Sequence, residues 1–122
     1  MGFAIATLMT GVLWGAWHVP MIIASGYNGG GDIRFELLSF GVGVVAMSGA
    51  LSWLRLTSGS FWPCVTMHAS HNLFIQNLFD PLSGRGTSSI TMVGEFGAVF
   101  AAAVLLVSIP FWILGVRLPR PA

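Results

Sequence analysis

The chain has 122 residues, 55% of them hydrophobic and 7% charged, with a formal net charge of +1 and a mean hydropathy of +0.83. Soluble domains carry about 25% charged residues, so this composition excludes a domain that covers its whole surface in water, and with no basic run nothing suggests a nucleic-acid partner. The lone cysteine, Cys64, excludes an internal disulfide and reads as a small core residue.

The charged residues are Asp32, Arg34, Glu36, Arg55, Asp80, Arg85, Glu95, Arg117 and Arg120. They leave charge-free runs over 1–31, 37–54, 56–79 and 96–116. Each run can hold the roughly 20 apolar residues that cross a bilayer. The expected fold is therefore all-α: a polytopic membrane helix bundle of about four transmembrane helices, with 1–122 forming a single domain. The first apolar run lacks a basic leader segment and reads as a span, not as a signal peptide.

In chain order, the first span is expected over residues 3–25. Gly11 and Gly15 share a stripe with His18, and the small-x-x-x-small pattern lets a neighbouring backbone approach. Pro20 removes the hydrogen bond to the Ala16 carbonyl and predicts a kink near His18. Residues 26–31, Gly-Tyr-Asn-Gly-Gly-Gly, read as a flexible loop. Asp32, Arg34 and Glu36 read as the solvated start of the second span, 35–56. There Gly41, Ser48, Gly49 and Ser52 form a small-residue ridge, and Trp53 and Arg55 anchor the end. A short turn at 57–60 predicts an antiparallel third span over 60–79, with Ser60 as its cap and Pro63 in its first turn. A loop over 80–87 leads to a fourth span over 92–116, which carries Glu95 near its start and Pro110 inside. A polar tail follows from Arg117. Four spans put both termini on one side. Arg55, Arg117 and Arg120 on that side, against Arg34 and Arg85, favour a cytoplasmic location for the termini of this multi-pass cell-membrane protein.

Polar groups inside apolar spans are costly, so they call for a function. His68 and Asn72 are four apart and share a helix face, about 40° from one another. His18 is the third such group. Imidazoles suit a divalent metal such as Zn2+, which would sit on His18 and His68 with Asn72 beside them, or the three could simply be hydrogen-bonded structural groups. A hydrolase also needs a group that activates water. Glu95, near a helix end, is expected at the interface and outside the site. His71 lies about 60° from His68 on the wheel and is expected to stay out as well.

Two stretches carry a family resemblance. Trp14-Gly-Ala-Trp-His18-Val-Pro20 holds an aromatic residue four positions before a histidine. His68-Ala-Ser-His-Asn72 holds a histidine four before an asparagine. With Trp53-x-Arg55-x-x-Ser58-Gly-Ser60 between them, these stretches resemble the CAAX prenyl protease and bacteriocin-processing family of intramembrane metalloproteases, C-terminal portion only. The family's first motif, a Glu-Glu pair followed by arginine, has no counterpart in this sequence. The resemblance implies an intramembrane endopeptidase acting on a peptide or protein substrate in contact with membrane lipid. It implies that His18, His68 and Asn72 are catalytic, with His18 and His68 as metal ligands or water-positioning groups. Without the glutamate pair, the chain alone is expected to be inactive. Two other classes of function fit some of these residues: a non-catalytic membrane scaffold or regulatory interaction protein, and a b-type haem anchor using His18 with His68 or His71.

Overall fold

A computed structural model describes residues 1–83 and 91–119. The later part of the loop expected at 80–87, Arg85 included, and the last three residues of the tail, Arg120 included, lie outside the described residues. Every element among the described residues is helical. α1 spans Phe3–Ala24, α2 Ile33–Ser58, α3 Trp62–His71 and α4 Ala98–Val116. At 1.5 Å per residue, α1, α2 and α4 are about 33, 39 and 29 Å long, against a hydrocarbon core of about 30 Å. These are the three helices long and apolar enough to cross a membrane.

The third expected span takes a different form. It is helical from Trp62, but α3 stops after 10 residues, and the backbone continues as a π-helix over Asn72–Phe79, closed by a short turn at Asp80–Leu82. The side-chain amide of Asn77 donates to the Asn72 carbonyl at 2.8 Å. A stretch of i→i+5 winding is rare and frequently occurs at functional positions. Here it begins at Asn72, one of the three candidate site residues. The fourth span starts at Ala98, not at 92, so Glu95 belongs to the turn before it.

α2 is the centre of the bundle. Half of its most apolar window is buried inside the protein, against 17% for α1 and for α4, and it packs on α1, α3 and α4. The contacts form where side chains are small. A Cβ on Gly11 of α1 would lie 3.0 Å from the Val45 Cα and 2.8 Å from the Ser48 Oγ, so the two backbones approach as the small-residue pattern predicts. Ser48 donates to the Thr7 carbonyl at 3.2 Å across the same contact. On the other side of α2, the Trp112 indole of α4 occupies the space above Gly49 and donates to the Ala46 carbonyl at 3.1 Å. The Cys64 thiol donates to the Leu51 carbonyl at 3.1 Å and ties α3 to α2. The outward positions of α1, among them Ile5, Leu13, Trp17 and Ile23, are exposed, as lipid-facing residues are.

Among the described residues, Gly15 and Gly41 have no atom within 4 Å of the place a Cβ would take. Both line a groove of about 750 Å³ between α1, α2 and α4, walled by Val12, Leu38, Leu105 and Ile109 among others.

The loop between α1 and α2 is pinned, contrary to the flexible loop expected there. Glu36 is only 1% exposed. Its two carboxylate oxygens accept from the Gly29 amide at 3.1 Å and the Gly31 amide at 2.6 Å. A buried carboxylate is tolerable when its charge meets such donors. Asp32 alone of the acidic pair caps α2, accepting from the amides of Arg34 and Phe35. The folded-back loop presses Tyr27 onto Phe40 and Phe96, with ring centroids 6.4 and 5.3 Å away.

Candidate active site

His18, His68 and Asn72 line one polar cavity of about 70 Å³, together with Trp14, Tyr27, Phe40, His71, Gln76, Glu95 and Phe100. A single water needs roughly 10–15 Å³ of such space, so the cavity can hold water. α1 supplies His18, α3 supplies His68 and His71, the π-helical segment supplies Asn72 and Gln76, and the turn before α4 supplies Glu95.

His18 is held by its own helix. Its Nδ1 lies 2.8 Å from the Trp14 carbonyl. A carbonyl only accepts, so Nδ1 carries the proton and Nε2 keeps its lone pair. The ring stacks at an angle on Phe40, with centroids 5.3 Å apart. Trp14 touches both histidines, at 6.3 Å from the His18 ring and 5.2 Å from the His68 ring. The aromatic residue four positions before His18 is thus the wall that joins α1 to α3. No hydrogen bond satisfies the His68 ring among the described residues.

His71 and Glu95, both expected outside, are in the cavity wall. The His71 Nε2 lies 3.1 Å from the Glu95 Oε1. The Glu95 Oε2 accepts from the Tyr27 hydroxyl at 2.6 Å and from the Gln76 amide at 3.0 Å. Gln76 also donates to the Tyr27 oxygen at 2.8 Å. Glu95 is 7% exposed. Gly94 delivers it: at φ +87° it takes a left-handed turn, and a Cβ there would lie 2.9 Å from Asp80 Oδ1. The Glu95 amide then reaches Asp80 Oδ2 at 3.4 Å. Burial pushes the Glu95 carboxyl up, but the hydrogen bonds from His71, Tyr27 and Gln76 outweigh it and hold the group below the usual carboxylate range. Burial, and then the Glu95 carboxylate, push the Tyr27 hydroxyl well above the ordinary phenol range, so it keeps its proton and donates.

The reason for the misplacement of His71 and Glu95 is geometric. A helical wheel sorts residues into stripes, whereas this cavity is wide enough to take two adjacent faces of α3. Glu95 arrives from a non-helical turn 24 positions along the chain from His71, which no local pattern encodes. One signal was available: an acidic residue inside an otherwise apolar run is costly unless it is paired.

The comparisons with known proteins bear on this arrangement. A family model described as Type II CAAX prenyl endopeptidase Rce1-like matches residues 1–74. The chain belongs to this family. No curated protein and no solved structure matches it. The Rce1-like match covers α1, α2 and α3 and ends just after Asn72, so it includes His18, His68, His71 and Asn72. Gln76, Glu95 and α4 lie beyond it.

Whether this set suits a metal is a question of donors. A zinc site takes three or four protein ligands. Among the described residues, no group of three or more His, Cys, Asp or Glu side chains is placed to hold a metal ion. His18 and His68 with the Asn72 carboxamide leave such a shell incomplete, and the Glu95 oxygens are already engaged.

Proposed function

We propose that this Rce1-like chain is an intramembrane endopeptidase of the CAAX type, which hydrolyses a peptide bond presented at the mouth of the polar cavity. The observation that carries the reading is the convergence of His18, His68 and Asn72, from separate helical segments, on one water-sized hollow within the span of the family match. His18, with its Nδ1 proton committed to the Trp14 carbonyl, offers Nε2 as a fixed acceptor that orients water. His68, with no ring hydrogen bond among the described residues, is available to bond the substrate. The Asn72 amide is a donor for the oxyanion of a tetrahedral intermediate. The substrate is a peptide or protein that reaches the site from the bilayer. The apolar groove supports a lipid-bearing one, because Phe40 lines both the groove and the polar cavity. A chain of methylene or isoprenoid carbons in the groove would leave the adjoining peptide beside the histidines. A haem is disfavoured by size: cofactor-sized ligands need about 300 Å³ or more, and the histidine-lined cavity offers about 70 Å³.

The test is cleavage of a farnesylated CAAX-type peptide by the protein in phospholipid vesicles. In departure from the inactivity that the missing glutamate pair predicts, this reading expects cleavage by the unaltered chain, and His68→Ala should lower kcat by about 10²-fold or more with an unchanged far-ultraviolet circular dichroism spectrum. A folded, reconstituted chain that leaves the peptide intact overturns the reading.

A further inference from the structure

The polar cavity is too small for what it has to receive. Its volume of about 70 Å³ holds a few waters, whereas pockets that take up organic ligands start at about 300 Å³. A peptide bond with its two flanking residues cannot come within bonding distance of His18, His68 and Asn72 until part of the wall moves. Most of the lining side chains stand on helices. Glu95 does not, but it is buried and held by His71, Tyr27, Gln76 and, through its amide, Asp80. Tyr27 alone of the lining residues stands in the stretch between α1 and α2. It is only half-buried, and its neighbour Gly26 is exposed at φ +75°. The Tyr27 amide reaches the Met21 carbonyl at a long 3.4 Å.

None of the groups that hold Tyr27 in the wall depends on it. Its hydroxyl donates to Glu95 Oε2 at 2.6 Å and accepts from the Gln76 amide at 2.8 Å. Gln76 also donates to the same Glu95 oxygen at 3.0 Å, and His71 stays 3.1 Å from the other one, so the carboxylate keeps both neighbours when the phenol leaves. Phe40 and Phe96, which the Tyr27 ring touches, stack on one another with centroids 5.5 Å apart. A phenol turned outward meets water at the exposed loop. Opening therefore strands no buried donor or acceptor, which is the costly part of losing a hydrogen bond. The loop backbone is stitched in place meanwhile. Glu36 grips the Gly29 and Gly31 amides, and the Asn28 side chain joins the Ile22 carbonyl to the Gly30 amide. Rotation of one side chain, without departure of the loop, is the movement left. We propose that the Tyr27 side chain is the gate of the polar cavity. Latched on Glu95 and Gln76 it seals the hollow; turned outward it admits the carbonyl of an incoming peptide, an identity that rests on the peptidase reading.

Access to the hollow can be measured without turnover. Gly43 lines the cavity, and among the described residues no atom lies within 4 Å of the place its Cβ would take. Gly43→Cys, made together with Cys64→Ser, therefore puts a single thiol in the hollow. Its reaction with a water-soluble cationic methanethiosulfonate is followed in detergent micelles, where the reagent reaches both ends of the bundle. The reaction should be slow while Tyr27 is present. Tyr27→Phe keeps the ring and removes the latch, and should speed the reaction by about 5-fold, the factor for one net hydrogen bond. Tyr27→Ala should speed it further. Ala101→Cys, buried elsewhere, should stay slow in both backgrounds. In the vesicle assay Tyr27→Phe should lower KM by a similar factor with kcat little changed, because apparent affinity follows the open fraction. Unchanged labelling in both Tyr27 variants overturns the gate, and so does a Gly43→Cys thiol that already reacts as fast as one at exposed Ser25→Cys. An equal rise at Ala101→Cys means a loosened bundle, and the gate falls. A lower kcat in Tyr27→Phe with unchanged labelling places the hydroxyl in the chemistry and also overturns it. Each of these outcomes leaves the peptidase reading standing. Gated labelling in a chain that cleaves nothing removes that reading alone.

Discussion

α2 meets α1 and α4 at positions where side chains are small or missing: Gly11 against Val45 and Ser48, and Gly49 under Trp112. The corner around His71 is built the other way, from long polar side chains that hold one another at 2.6 to 3.1 Å. The first region is specified by volume and is indifferent to pH. The second is specified by donor and acceptor order, and a change of one proton alters it. In lipid, where apolar surface gains nothing from turning inward, close backbone packing supplies the cohesion of the bundle. That leaves one corner free to gather the polar side chains of the cavity, most of which find a partner there.

This contrast can be broken from either side. The largest effect should come from filling the seat of Trp112. Gly49→Leu drives the indole out and breaks its bond to Ala46, and it should cost about 3 kcal/mol, read as earlier unfolding in mixed detergent micelles followed by tryptophan fluorescence. Next is the pinned loop. Glu36→Ala leaves the Gly29 and Gly31 amides without their acceptor and should cost about 2 kcal/mol, with faster amide exchange over residues 26–31. If Glu36→Ala leaves exchange there unchanged, the loop is held by something other than this carboxylate. The smallest effect appears only in acid. Because the Glu95 carboxyl is held below its ordinary value, its bonds contribute fully above the unfolded value of about 4.3 and are lost as pH falls through the lower folded value. As pH is brought below the ordinary carboxylate range, the Tyr27 contact should loosen while α1, α2 and α4 stay helical, seen as a change in tyrosine and tryptophan emission at constant far-ultraviolet signal.

The bundle itself was legible. Charge-free runs marked α1 and α2 to within a few residues, because the bilayer sets a length that composition must meet. The spacing of His68 and Asn72 put them on one face, and the structure brings both to the same cavity as His18. Three things were not legible, each for its own reason. The π-helical winding from Asn72 changes the angle per residue, so a wheel drawn at 100° fails beyond that point. Glu36 looked like a solvated charge because the glycine amides that neutralise it belong to the backbone, which composition does not display. The presence of Glu95 in the cavity wall does not show in its distance from a helix end, because it depends on a left-handed turn at Gly94 and on Asp80.

One ring belongs to two compartments. Phe40 forms part of the wall of the dry groove and part of the wall of the wet hollow, and it stacks on Phe96 with centroids 5.5 Å apart. The partition between oily and watery space is thus a single aromatic plate at this point, and the size of the side chain at position 40 sets how far the two chambers stay apart.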